Sequence, residues 1–153
     1  MAEIGFGDKP LVLIRGYHWR SHENRRPILM QAWFVEFIDT LVAYVKKTYK
    51  QSFPKMESQG AQDRLKYLLG WKSLFSSFSI EIQDNAKKLL HKVRITRNKG
   101  IHRKIQNLEW PKEMLQEMIH FCQLLGIAEL NYFKKQCKKE LDRMNSHVFE
   151  RYY

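Results

Sequence analysis

Cysteine is almost missing from this chain: Cys122 and Cys137 are the only two, and neither belongs to a Cys-x-x-Cys or a Cys/His set at zinc spacing. That excludes a disulfide-stapled scaffold and a structural zinc site, and it predicts a reducing, intracellular setting, cytoplasm or nucleus. Glycine and proline are scarce as well, at 7 and 4 residues, which argues against a turn-rich β-sandwich and against a disordered chain. No unbroken apolar run of about 18 residues occurs, and no signal peptide or lipidation motif is found, so no membrane partner is expected. There is no repeat, P-loop, glycine-rich nucleotide loop, Gly-x-Ser-x-Gly elbow or HExxH pair, so no cofactor and no metal are expected. Acidic residues are also few. Against 27 Lys and Arg stand 16 Asp and Glu, a formal charge of +11, and such an excess rewards a polyanionic partner, nucleic acid first. The plainer alternative is that the lysines serve solubility.

What the chain does have is apolar residues at helical spacing. Leu29, Trp33, Phe34, Phe37, Leu41, Tyr44 and Val45 recur at three- and four-residue steps after Pro27, predicting a core helix to about Tyr49. Residues 51–62, with Pro54 and Gly60, read as a connector. A short helix from Asp63 carries Leu65, Leu68 and Leu69, and the Gly/Ser-rich seventies interrupt it. From about Glu81, Ile82, Ala86, Leu89, Leu90 and Val93 form another stripe. Pro111 opens a helix that Gly126 closes, and a last helix covers about residues 128–145. The expected fold is all-α: a single-domain, up-and-down bundle of four to five helices over residues 27–145. A short extended arm, 1–26, precedes it, and a tail, 146–153, follows. In the arm, Arg15, His18, Arg20 and His22 interleave with Tyr17 and Trp19, a pattern suited to gripping a nucleic-acid backbone and stacking on a base. A polar surface arm is the alternative.

The chemistry-bearing stretch is Arg97-Asn98-Lys99-Gly100-Ile101-His102. A guanidinium that is always charged and an imidazole that exchanges protons near neutrality lie five residues apart, a pairing suited to phosphodiester chemistry. Arg15 and His22 make a looser pair, seven residues apart; the Asn that follows Arg97 sets the later pair apart. Arg97 continues the apolar face of Leu90 and Val93, so it is expected on the buried side, where it requires an anion or polar partners. The competing reading is that Arg97, Asn98 and Gly100 merely end a helix.

Arginine, asparagine, three residues and histidine, late in a small helical domain, resemble the R-x4-6-H motif of the HEPN superfamily, many of whose members are metal-independent endoribonucleases. The resemblance implies catalytic roles for Arg97, Asn98 and His102, with Arg97 on the scissile phosphate, Asn98 fixing its rotamer or a phosphate oxygen, and His102 as general base or acid. It also implies RNA as the partner, 2',3'-cyclic phosphate and 5'-hydroxyl products, and a homodimer whose composite site faces a two-fold axis. Glu36 or Asp39, on one side of the first helix, would orient Arg97 or His102. Lys92, Arg94, Lys99, Arg103 and Lys104 would supply the field that draws RNA in. Some HEPN toxins carry a tyrosine two residues after the histidine; here that position is Lys104, which argues against regulation through it. The alternatives are a non-catalytic HEPN-like module that binds RNA or a nucleotide or dimerises within a larger assembly, and a secreted four-helix ligand resembling a cytokine.

Overall fold

Pro27, which has no N–H to leave unpaired, sits in the first turn of α1 (Arg26–Tyr49), where that loss carries no penalty. The computed structural model describes residue 19 and residues 26–49, 60–102 and 108–145. After α1 come α2 (Ala61–Leu69), α3 (Ile80–His102), α4 (Glu109–Leu125), a 3-10 turn (Ala128–Leu130) and α5 (Asn131–Asn145). The expected all-α bundle is the observed fold, with no strand among the described residues. The arm residues other than Trp19 and Arg26, among them His18 and His22, the connector up to Gln59 and the tail lie outside the described residues.

α3, α4 and α5 pack side by side in chain order, and α1 lies against them with α2 beside it. Fifteen residues of α1 are buried, because neighbours cover it on most sides rather than on one stripe. Phe37 is its anchor. Its ring meets Phe121 of α4 edge-on at 5.3 Å and Phe133 of α5 at 5.6 Å, the spacing at which aromatic quadrupoles attract. The same helix is long and apolar enough to cross a bilayer by length and composition, although no unbroken apolar run of that length occurs in it; 78% of its most apolar window is buried inside the bundle. Its polar interruptions are spread out, so the window stays apolar on average.

Helix ends follow local chemistry. Ser79 caps α3, its Oγ accepting from the Ile82 N–H at 3.2 Å. Gly126 ends α4 in the left-handed region, φ 60°, with its N–H on the Cys122 carbonyl, as the sequence predicts. Between α2 and α3, Phe75 takes φ 63° without being glycine, a conformation costing about 1–2 kcal/mol. Its fully buried ring, 5.8 Å from Phe121, offsets that cost.

Trp19 departs from its expected role. It is 1% exposed and its indole N–H donates to Glu140 of α5 at 2.6 Å, while the Arg26 Nε–H donates to its carbonyl. A tryptophan so enclosed has no face to offer a base; its large apolar ring finds more burial in the bundle than on an arm.

Gly100 does not end α3. The helix continues through it to His102, and the glycine leaves room for the Met30 side chain of α1. A Cβ there would lie 2.2 Å from Sδ and 2.7 Å from Cε of Met30, a side chain with no exposed surface. Gly100→Ala is therefore expected to destabilise the protein. Overpacking costs about 1–3 kcal/mol and the helix-propensity gain returns about 1, leaving a net loss of up to about 2 kcal/mol in urea unfolding. Gly70→Ala is the control: its Cβ would meet nothing nearer than 3.6 Å, and no loss is expected there. Equal stability of the two variants would remove the close approach as the reason for glycine at 100.

Candidate functional site

Arg97 lies where α1, α2 and α3 meet. It is 8% exposed, on the face of α3 that also buries Val93 and Leu90, as its periodicity predicts. Its Nε–H donates to Oε1 of Gln31 at 2.7 Å, and an Nη1–H donates to Oδ1 of Asn98 at 2.8 Å. The guanidinium carbon stands 5.5 Å from the centre of the Phe34 ring, within the range of a cation–π contact. Gln31 and Phe34 are three residues apart on α1, hence on one face. From α2, the Gln62 amide donates to the same Asn98 oxygen at 2.7 Å. Asn98 is thereby pinned from two sides and fixes the arginine's rotamer. Gln31 and Asn98 are uncharged acceptors, so they orient the fork without adding negative charge to it.

Glu36 and Asp39 do not join this network. Asp39 accepts from Nη1 of Arg64 at 2.5 Å, and Glu36 lines a surface groove between α1 and α5 with Thr40, Glu129 and Tyr132. Helix register explains this: Glu36 is about 200° and Asp39 about 140° round α1 from Phe34, the residue that faces Arg97. The α1 partner that orients Arg97 is Gln31. Its signal in the sequence is a lone amide inside the apolar window from Ile28 to Val35.

His102 is the last residue of α3; its side chain, and Arg103 and Lys104, lie outside the described residues. Position 102 is five helical steps on from 97, which puts the two about 140° apart round the axis and about 7.5 Å apart along it. Of the expected phosphate-drawing residues, Lys92 and Lys99 are exposed and Arg94 is half-buried. The Lys99 ammonium sits 5.2 Å from the Trp110 ring centre. His120 is exposed on α4.

A second polar feature lies on the other side of α3. Glu117 of α4 is 7% exposed; its Oε2 accepts from the Thr96 hydroxyl at 2.9 Å, and its Oε1 is buried with no hydrogen-bond partner. Burial raises its pKa from 4.5 to about 7; the Thr96 hydrogen bond opposes the shift, Glu113 adds to it, and Lys92 and Lys99 reduce it. The motif-led reading of the sequence misses this residue, whose one signal is a carboxylate on the buried stripe between Met114 and Phe121. Cys122 and Cys137 are buried free thiols. Burial pushes Cys122 up to about 12 and Cys137 higher still, so neither forms a nucleophilic thiolate near neutrality. Among the described residues no group of three or more His, Cys, Asp or Glu could hold a metal. No protein-family model matches the chain, and no curated protein and no solved structure is similar to it at a significant level.

Proposed function

We propose that this chain is an RNA-directed helical domain of HEPN type that cleaves RNA without a metal ion. One observation carries the reading: the arginine of the Arg97-Asn98-x3-His102 motif is held by amides from two helices in a single orientation, at the end of a strongly basic helix. A pre-oriented guanidinium needs no rearrangement to meet charge growing on a phosphate.

In the proposed reaction the ribose 2'-oxygen bonds to phosphorus while the bond to the 5'-oxygen breaks. His102 takes the 2' proton or supplies one to the departing oxygen. The products are a 2',3'-cyclic phosphate and a 5'-hydroxyl, and no water is consumed in that step. Positions 97 and 102 diverge round their own helix, so the pair acting on one phosphate is drawn from two copies of the chain, Arg97 from one and His102 from the other. A second reading, a module that binds RNA or nucleotide without cutting it, is favoured by the low exposure of Arg97.

Incubation with mixed-sequence RNA in EDTA decides between them. Cleavage to cyclic phosphate and 5'-hydroxyl ends, by protein whose solution mass is that of a dimer, is the expected result. Salt-sensitive binding with intact RNA selects the second reading. A monomer that neither binds nor cuts ends both.

A further inference from the structure

The outward side of α5 is more one-sidedly cationic than its stability requires. Phe133, Cys137, Glu140 and Met144 turn inward, leaving Lys135, Lys138 and Lys139 exposed and Lys134 half-buried. None of the four is in an ion pair among the described residues. Arg143 is matched by Glu140 at 3.1 Å, and Asp142 is the exposed carboxylate of this face. Lys134 and Lys138, Lys135 and Lys138, and Lys135 and Lys139 stand three or four apart, so each pair repels across one helical turn. An anion bound across this face would relieve that repulsion.

Tyr132 gives the anion a further property. It is 69% exposed, and with Lys135 and Lys139 it falls at i, i+3 and i+7 on one line of the helix. A ring in line with two ammonium groups suits a ligand with alternating phosphates and flat bases. A lipid surface fits less well, because the apolar face of α5 is spent inside the bundle and Tyr132 is the one large apolar side chain that this helix exposes. α4 separates α5 from the motif helix α3.

We infer that the Tyr132–Lys135–Lys139 line of α5 is a binding surface for single-stranded RNA, separate from the Arg97 site. The inference rests on the proposal that the chain is RNA-directed and adds where the strand is gripped.

The test is fluorescence anisotropy in EDTA, every protein carrying His102→Ala so that the probe stays whole, with labelled single-stranded RNA, the DNA of the same sequence, and phosphatidylserine vesicles. Three variants are compared with this His102→Ala parent after circular dichroism has shown each to be folded. Lys135→Glu with Lys139→Glu is expected to weaken RNA binding about tenfold or more and to flatten the log–log salt slope by about 1.4, two contacts at roughly 0.7 each. Lys66→Glu with Lys72→Glu changes net charge equally on exposed positions of other elements; a loss under about threefold is expected. Tyr132→Ala is expected to weaken binding about fivefold or more with the slope unchanged. Equal losses in the two double variants, no loss in the α5 pair, or retention on vesicles but not on RNA would each overturn the inference. If wild-type protein cuts RNA while the α5 variants bind it as the parent does, the α5 surface fails and the nuclease proposal stands; if neither wild type nor the parent binds RNA, both fall. Equal affinity for DNA overturns RNA as the ligand of this face.

Discussion

Arg97→Ala and His102→Ala are each expected to lower RNA cleavage at least about a hundredfold, the usual cost of removing a charge-stabilising donor or a general acid–base. Arg97→Ala also has a structural cost. It takes a donor from the buried Oε1 of Gln31, at about 1–3 kcal/mol, whereas Oδ1 of Asn98 keeps the Gln62 amide. Activity is therefore compared at a temperature where circular dichroism shows both variants folded. Gln31→Leu separates the two effects: it removes the Nε acceptor yet leaves the guanidinium, so it should share the stability loss and retain more activity than Arg97→Ala. The dimeric arrangement makes a sharper prediction. In a mixed dimer of Arg97→Ala and His102→Ala subunits, one of the two composite sites keeps both groups. Mixing the inactive variants with subunit exchange should then restore roughly a quarter of wild-type activity. No restoration would mean that the pair does not act across subunits, and cleavage within about threefold of wild type by either variant would end its catalytic assignment.

Glu117→Gln is expected to change how stability depends on pH. The carboxyl of Glu117 ionises at about 7 in the folded protein, against 4.5 ordinarily. Folded protein therefore holds this proton more tightly than unfolded chain does. Below 4.5 both states are protonated and the residue contributes nothing to the slope. As pH rises from 4.5 to 7 the unfolded state ionises first, so stability falls; above 7 the loss is complete. The shift corresponds to on the order of 3 kcal/mol. Glutamine keeps an oxygen for the Thr96 hydroxyl and cannot ionise. The variant should match wild type near pH 4 and exceed it by up to about 3 kcal/mol at pH 8 in urea unfolding. A constant difference at all pH values would show that Glu117 does not titrate as its burial requires.

The fold is legible because its signals are local. Pro27, the apolar stripe of α1, the break in the seventies and Gly126 each act through neighbours within a turn or two, and each stands where the sequence puts it. The site is legible in part. Arg97 can be placed on a buried face by counting residues, yet its partners Gln31 and Gln62 come from other helices, and nothing in their neighbourhoods announces that contact. Glu36 and Asp39 draw attention because they are charged; their register on α1 points them away from Phe34, and a neutral amide does the orienting. Gly100 reads equally well as a helix terminator, since the reason for it, the sulfur of Met30, is 70 positions earlier in the chain. Trp19 misleads in the opposite sense: an aromatic among basic residues suggests a base-stacking arm, whereas Glu140 receives its N–H from across the bundle.

The enclosure of α1 has a consequence for biosynthesis. A ribosome makes this 24-residue apolar helix well before α4 and α5, whose Phe121 and Phe133 enclose it. At about 5–20 residues per second, the wait for the end of α5 is on the order of 5–20 s. Throughout that interval a segment with the hydropathy of a bilayer span is without its tertiary cover, and its apolar faces stay open until the later helices arrive.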